Sequence, residues 1–131
     1  MHILIINFKT DFSPEDYNQG TSELAPVFAE VEGLHVKNFI FNHETKTYGG
    51  CYMFENKKAM EDYKAGEIYK SIIENPDWTE FLVRDFEVHA EATEIQNRLK
   101  EKAAWYKYNQ TNFLKQQIKD KLDGKFILEK L

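Results

Sequence analysis

Several segments that resemble β-strands carry single polar residues among large apolar ones. Four such residues occupy alternate positions with aliphatic or aromatic neighbours: Asn7, Asn38, Tyr52 and Arg84. A polar group that is buried without a hydrogen-bond partner costs about 1–3 kcal/mol, so each of these residues needs a partner. Pockets for small molecules are mostly apolar and contain a few polar groups of this kind. A bound ligand is therefore one candidate partner for these four side chains.

Further aromatic side chains could complete such a pocket. Tyr48 and Phe54 share alternate positions with Tyr52, while Tyr63 falls in a helical segment and Trp78 precedes the last strand. Aromatic residues in these places can line a pocket, but they more often pack in a core. We therefore treat them as candidate substrate-binding residues, with core packing as the alternative.

The polar candidates also have structural alternatives. His35 lies near a strand end, where a histidine is either exposed or able to move a proton at the mouth of a cavity. The two asparagines could bond to backbone at strand ends. Arg84 could pair with an acid such as Asp85 or Glu87 of a neighbouring chain. For each of these residues, a role in a binding site and a purely structural role both stay open at this point.

The sequence does not indicate a metal or a nucleotide. The four histidines are scattered, and no pair has the spacing of a metal site. The six glycines do not form a dinucleotide-binding pattern or a P-loop. The single cysteine, Cys51, follows Gly50 in an apolar segment and reads as a buried structural thiol. We expect neither a metal nor a cofactor.

Composition restricts the class of protein further. The chain has 131 residues, which fits one domain, and its 15% aromatic content supplies a packed core. A net charge of -5 does not favour nucleic-acid binding. We expect no membrane partner and a cytoplasmic location, because there is no long apolar run and no signal-like start. Residues 1–90 carry eight basic and sixteen acidic side chains, whereas residues 91–131 carry nine and six.

The order of elements predicts the fold class. Apolar, β-branched runs predict strands at 2–8, 34–42, 48–55 and 80–89, and helical spacing predicts helices over 14–32 and 57–74. Internal Gly20 and Pro26 predict a kink or a restart near Thr21 or Ser22 in the first helix. The order β-α-β-β-α-β is that of the ferredoxin-like fold, an α+β fold with a four-stranded antiparallel sheet. Gly49 and Gly50 predict a bulge or a close backbone approach.

The predicted strands carry bulky residues on both faces, whereas two helices can cover only one. A second copy of the chain could cover the other face, since two-fold dimers are the commonest oligomers. Alternatively, the helix-rich residues 91–131 could fold back over it. Their stripes are Ile95, Leu99, Ala103 and Tyr106, then Phe113, Leu114, Ile118 and Leu122, with a break at 109–112 and an end at Gly124.

A set of short motifs resembles those of one known family. The segments Glu32-Gly33-Leu34 with Lys37 and Phe39, Tyr48-Gly49-Gly50 with Tyr52 and Phe54, and Ala59 with Tyr63 resemble the YdhR-like monooxygenase family in order and spacing. Leu24-Ala25-Pro26 and Phe86-Glu87-Val88 are similar to two further motifs of that family. Glu32 and Phe39 depart from it, since proline and tryptophan are common there. The resemblance covers residues 1–98, so we expect a barrel domain at 1–98 and an appended helical arm at 99–131.

The resemblance implies a dimeric α+β barrel like that of antibiotic-biosynthesis monooxygenases. It also implies a cofactor-independent monooxygenase that acts on a small aromatic or polyketide-like substrate. In that reading, Asn38, Tyr52 and Arg84 hold the substrate's oxygen atoms, Asn7 orients them, and His35 or Tyr48 moves the proton. One alternative is a non-enzymatic dimer that binds a hydrophobic ligand or serves a stress response. Another is haem degradation, which Asn7 favours and the lack of a histidine in the second helix opposes.

Overall fold

The computed structural model describes residues 1–109 and 119–121, with side chains described through residue 103 and again at 119–121. Within residues 1–109 the elements are β1 (His2–Lys9), α1 (Pro14–Ala29), β2 (Leu34–Asn42), β3 (Thr47–Phe54), α2 (Lys57–Lys64), α3 (Glu67–Ile73), β4 (Thr79–Glu87) and α4 (Ala90–Asn109). Residues 119–121 are also helical. The chain divides into two units, Met1–Val88 and His89–Leu131.

The first unit has the predicted ferredoxin-like α+β fold. Its four strands form one sheet in the order β2-β3-β1-β4, and every neighbouring pair is antiparallel. Sequential strands β2 and β3 form a hairpin, whereas β1 lies between β3 and β4. The fold class expected from the order of elements is therefore confirmed.

The two faces of the sheet differ in burial. Along β1 and β3, every second residue is buried and its neighbours are only partly buried. The buried side chains pack with residues of α1, α2 and α3, and we call this side the helix face. We call the other side the open face. Its large apolar residues Val36, Leu82 and Phe86 are each about half exposed.

The helices differ from the sequence-based expectation in two places. The expected single helix over 57–74 is wrong: α2 ends at Lys64 and α3 begins at Glu67, because Gly66 has extended backbone angles and caps α3. Of the two alternatives expected for the first helix, a kink or a restart, the restart is wrong, since α1 continues through Gly20 and Pro26. Pro26 lies in the last turn of α1, so its missing N–H removes one backbone hydrogen bond close to the end of the helix.

The glycine pair in β3 marks a close backbone approach. Pairing with β1 and β2 is continuous through Gly49 and Gly50, so no bulge occurs there. A β-carbon at Gly49 would lie 1.8 Å from the carbonyl oxygen of Ile6. Register shifts occur elsewhere, between Asn7 and Lys9 on β1 and between Leu34 and Val36 on β2.

The second unit begins at a capped helix. The backbone N–H of Ala92 donates to His89 Nδ1 at 3.1 Å, so His89 caps the start of α4. A break was predicted at 109–112. Asn109 is the last described residue of α4, and residues 110–112 lie outside the described residues. The predicted stripe of Phe113, Leu114, Ile118 and Leu122 and the predicted end at Gly124 also lie outside them.

Candidate functional site

A cavity of about 390 Å³ lies between the helix face of the sheet and helices α1 and α3. Its volume falls within the range of about 300–1,000 Å³ that is typical of small-molecule sites. Most of its wall is apolar, and much of that is aromatic: Ile6, Phe8, Phe12, Tyr17, Leu24, Phe28, Phe39, Tyr52, Ile68, Ile72 and Trp78. Asp16 and Leu24 are exposed and mark the mouth. The cavity can therefore hold a flat, mainly apolar molecule.

Lys37 lines this cavity and is surrounded by aromatic rings. Its Nζ lies 2.9 Å from the centre of the Phe28 ring, 4.0 Å from that of Phe39 and 4.8 Å from that of Tyr52. Rings attract an ammonium group through their negative faces. No carboxylate among the described residues forms an ion pair with Lys37. Burial lowers the pKa of Lys37 from 10.5 to about 7.

Gly50 provides the space for the lysine stem. It lies on β3 next to Tyr52, the residue that pairs with Lys37 across the β2–β3 ladder. A β-carbon at position 50 would lie 2.8 Å from Tyr52 Cε1 and 3.0 Å from Lys37 Cε. A larger residue at position 50 would therefore displace both side chains.

Three other polar side chains on the cavity wall, Thr21, Ser71 and Asn75, have hydrogen-bond partners nearby. The Thr21 hydroxyl donates to the backbone of Tyr17 at 2.8 Å, and the Ser71 hydroxyl donates to that of Ile68 at 2.7 Å. Asn75 Oδ1 accepts from the backbone N–H of Asp77 at 3.0 Å. Lys37 Nζ, in contrast, takes part in none of the hydrogen bonds found among the described residues.

Two tyrosines form a buried pair behind the cavity wall. The Tyr63 hydroxyl donates to the Tyr52 hydroxyl at 3.3 Å. Burial raises the pKa of Tyr52 to about 12, and burial together with the Tyr52 phenol raises that of Tyr63 further. Both phenols therefore stay protonated at neutral pH, and neither acts there as a base.

A second aromatic group lies at the other end of the cavity. His43 Nδ1 lies 2.7 Å from the Tyr48 hydroxyl, so these two side chains share a hydrogen bond. The Tyr17 ring packs against Phe41, His43 and Tyr48. The Tyr17 hydroxyl is buried and has no hydrogen-bond partner among the described residues.

The predicted polar site residues are divided between the two faces of the sheet. Tyr52 lies on the helix face in the cavity wall, whereas Asn7, Asn38 and Arg84 lie on the open face. Successive strand residues point to opposite faces, and Arg84 aligns across β1 with Cys51, the residue before Tyr52. The structure therefore does not bring Asn38, Tyr52 and Arg84 together within this chain.

Of the polar residues outside the cavity, Arg84 and Asn7 contact each other, whereas Asn38 and His35 lie apart from them on β2. Arg84 Nη2 donates to Asn7 Oδ1 at 3.5 Å, a weak hydrogen bond at that length. Asn38 lies on β2 and pairs with Cys51. His35 falls at the β2 register shift, with its Nε2 3.9 Å from Glu55 Oε2, and it does not line the cavity.

The predicted aromatic residues fall mainly in the core. Trp78 lines the cavity and stacks on Phe8 at 4.2 Å between ring centres. Phe54 and Tyr63 are buried in the main core cluster, and Tyr48 is buried with Phe8 and Tyr17. Tyr52 and Trp78 are thus the two predicted site residues that line the cavity.

Sequence reasoning did not select Lys37 as a site residue. The available signal was its position, since Lys37 alternates with Phe39 and Phe41 on one face of a strand. The contributions of Phe12, which precedes α1, and of Phe28 on α1 were also missed, because the packing of these rings over the sheet depends on the tertiary fold.

Neither a metal cluster nor a membrane helix occurs in the described part of the chain. Within it, no three His, Cys, Asp or Glu side chains group as metal ligands would. No helix there is long and apolar enough to cross a membrane.

The sequence profile of one family matches most of the chain. The family is described as "Putative mono-oxygenase ydhR", and the match covers residues 3–99. The chain therefore belongs to this monooxygenase family, as the resemblance of its motifs implied. No curated protein is similar enough in sequence to count as a match.

Solved structures with the same fold include several oxygenases. A "putative antibiotic biosynthesis monooxygenase" from Deinococcus radiodurans is 15% identical, with a TM-score of 0.54 over 67% of this chain and 92% of its own. A mutant of SnoaB, a cofactor-independent oxygenase from Streptomyces nogalater, is 12% identical, with a TM-score of 0.53 over 67% and 92%. A mutant of MhuD with two manganese protoporphyrin IX molecules per active site is 15% identical, with a TM-score of 0.50 over 66% and 94%.

Proposed function

We propose that this protein is a cofactor-independent monooxygenase that oxidises a small aromatic or polyketide-like molecule in the cavity of about 390 Å³. The observation that carries the proposal is the cavity itself, which has aromatic walls and a partly buried lysine, Lys37, in a chain of this family. Cofactor independence is supported by the similarity in fold to SnoaB.

The reaction requires an electron-rich substrate, such as an anthrone with a methylene group beside its phenolic rings. Conversion of that methylene to a carbonyl releases four electrons, which reduce one molecule of dioxygen. One oxygen atom enters the new carbonyl, and the other leaves as water with the two hydrogens. The protein binds and orients the substrate, excludes water and removes the proton that starts the electron transfer.

The test is oxygen consumption with a panel of anthrones and hydroquinones. Leu24 lines the cavity mouth and Val27 does not, although both are 43% exposed on α1. Leu24→Trp should lower kcat/KM by about tenfold or more, since the indole occupies space that the substrate needs. Val27→Trp is the matched control. If no member of the panel is bound or oxidised, the proposal fails.

We also propose that a second copy of the chain covers the open face. Three large apolar residues on it are about half exposed: Val36, Leu82 and Phe86. The strand register places Val36 and Phe86 in one row across the sheet with Met53 and Ile3 between them, and an exposed apolar patch of this kind is typical of protein interfaces. Leu82→Asp should convert a dimer to a monomer in sedimentation experiments, whereas Val27→Asp on the helix side should not. A wild-type monomer at micromolar concentration would contradict the proposal.

A binding protein without catalytic activity is the second candidate function. The observation that favours it is that the Thr21, Ser71 and Asn75 side chains on the cavity wall are bonded to nearby backbone groups and form no acid–base pair with one another. It predicts tight binding of aromatic ligands without oxygen uptake. Haem degradation gains no support from Asn7, because that residue lies on the open face and outside the cavity.

A further inference from the structure

Lys37 is a partly buried amine that forms no ion pair with an anion among the described residues. Its Nζ lies within 2.9–4.8 Å of the centres of three rings, and it takes part in no ion pair or hydrogen bond there. A buried ammonium group without a counter-ion is destabilised by the loss of water. The space beside it is the cavity, where a ligand could supply the missing anion.

The aromatic rings around Lys37 compensate only partly for the water that its ammonium group loses. A ring attracts an ammonium group by about 0.5–2 kcal/mol, whereas a charge-assisted hydrogen bond is shorter and stronger. The Phe28, Phe39 and Tyr52 rings surround the lysine Nζ, and its N–H groups have no acceptor among the described residues. An oxygen anion in the cavity would accept from them directly.

We propose that Lys37 recognises the ionisable oxygen of a phenol or enol substrate, accepts its proton and then holds the oxygen anion. The O–H bond of the substrate breaks, its electron pair stays on the oxygen, and the proton forms the third N–H bond of the lysine. The resulting ammonium pairs with the phenolate or enolate against the ring of Phe28. This inference rests on the proposed function and specifies the substrate class of the same cavity.

Other titratable groups near Lys37 do not compete for this role at neutral pH. Tyr52 pairs with it from β3, Tyr63 on α2 bonds to Tyr52, and the pKa of each tyrosine is raised, that of Tyr52 to about 12. Burial also raises the pKa of Tyr17 on α1 and of Tyr69 on α3. Asp16 is exposed at the cavity mouth. The lysine pKa of about 7 makes the neutral amine available above neutral pH.

The pH dependence of binding follows from proton balance. Above about pH 7, the free protein carries a neutral amine and the free ligand a neutral phenol, so the complex forms without a net proton change. Below that pH the free lysine already holds a proton, and one proton must be released on binding. Affinity for a phenol should therefore fall by about tenfold per pH unit below pH 7.

The experiment measures anaerobic binding of two probes to the full chain. 2-Naphthol has an ionisable oxygen, and 2-methoxynaphthalene is its methyl ether. Wild type should bind 2-naphthol more tightly, and Lys37→Met should weaken that binding by about tenfold or more while changing the ether by less than about twofold. Lys46→Met is the control, since Lys46 pairs with Asp11 and does not line the cavity.

Three binding results would each overturn the inference. These are equal binding of the two probes by wild type, unchanged 2-naphthol binding by Lys37→Met, and affinity for 2-naphthol that is independent of pH between 5 and about 8. The last measurement uses wild type alone, so it stands even if Lys37→Met does not fold. Turnover that is insensitive to Lys37 would refute the inference and leave the proposed function intact. Phenol binding that depends on Lys37 but is not accompanied by oxygen uptake would refute the proposed function and leave the inference intact.

Discussion

Gly50 lies so close to Lys37 that a β-carbon at position 50 would come within 3.0 Å of the lysine Cε. The same atom would lie 2.8 Å from a ring carbon of Tyr52. The absent side chain at position 50 is therefore what allows the lysine and the tyrosine to share one wall of the cavity.

The first prediction compares the two neighbouring glycines. Gly50→Ala meets side chains, which can shift, and should destabilise the protein by about 1–3 kcal/mol. In Gly49→Ala the new β-carbon would lie 1.8 Å from the carbonyl oxygen of Ile6. This variant should lose much more stability than Gly50→Ala, because the backbone of a strand must move. Urea denaturation of the two variants measures the difference. Equal stabilities would show that the close approach at Gly49 has been misinterpreted.

The sequence predicted the fold more fully than it predicted the site. Alternating apolar residues and a capped helix such as the one at Ser13-Pro14 are local signals, and the structure confirms the order and the sheet that they imply. Which strand face meets the helices depends on long-range pairing. Tyr52 and Arg84 were therefore expected in one site although they lie on opposite faces of the sheet, and Lys37 was not expected there.

A second prediction concerns the buried hydroxyl of Tyr17. It has no partner among the described residues, so Tyr17→Phe should leave stability unchanged or raise it by about 1 kcal/mol. Tyr48→Phe is the matched comparison, because the Tyr48 hydroxyl bonds to His43 Nδ1 at 2.7 Å. That variant should lose about 1 kcal/mol. Thermal denaturation measures the stabilities of both variants. A larger loss of stability for Tyr17→Phe than for Tyr48→Phe would contradict the prediction.

Gly20 provides a third prediction about stability. It lies inside α1, and a β-carbon there would meet no atom within 4 Å outside its own helix and neighbours. Glycine in a helix interior costs about 0.5–1 kcal/mol relative to alanine. Gly20→Ala should therefore raise the free energy of unfolding by that amount. A decrease in chemical denaturation experiments would be inconsistent with an unbroken helix at this point.

The fourth prediction is a dependence on acid pH through His2 and Asp85. His2 Nε2 lies 2.6 Å from Asp85 Oδ2, and this hydrogen bond lowers the pKa of Asp85 from 3.8. A lowered carboxyl pKa contributes stability above the unfolded value, and that contribution is lost as the pH falls through the folded value. Asp85→Asn should be less stable than wild type at pH 6 and should converge with it at the lowest pH. A gap in stability that stays constant with pH would contradict this account.

The central claim is that the protein binds an aromatic substrate in the cavity beneath α1 and α3 and oxidises it with dioxygen, without a metal or an organic cofactor. Its most direct test is turnover of an anthrone under ¹⁸O₂ by protein freed of metals and added cofactors, followed by mass spectrometry of the product. We predict one labelled oxygen atom in each product molecule, and a rate that falls in Leu24→Trp but not in Val27→Trp. Product without label, or equal rates in the two variants, would contradict the claim.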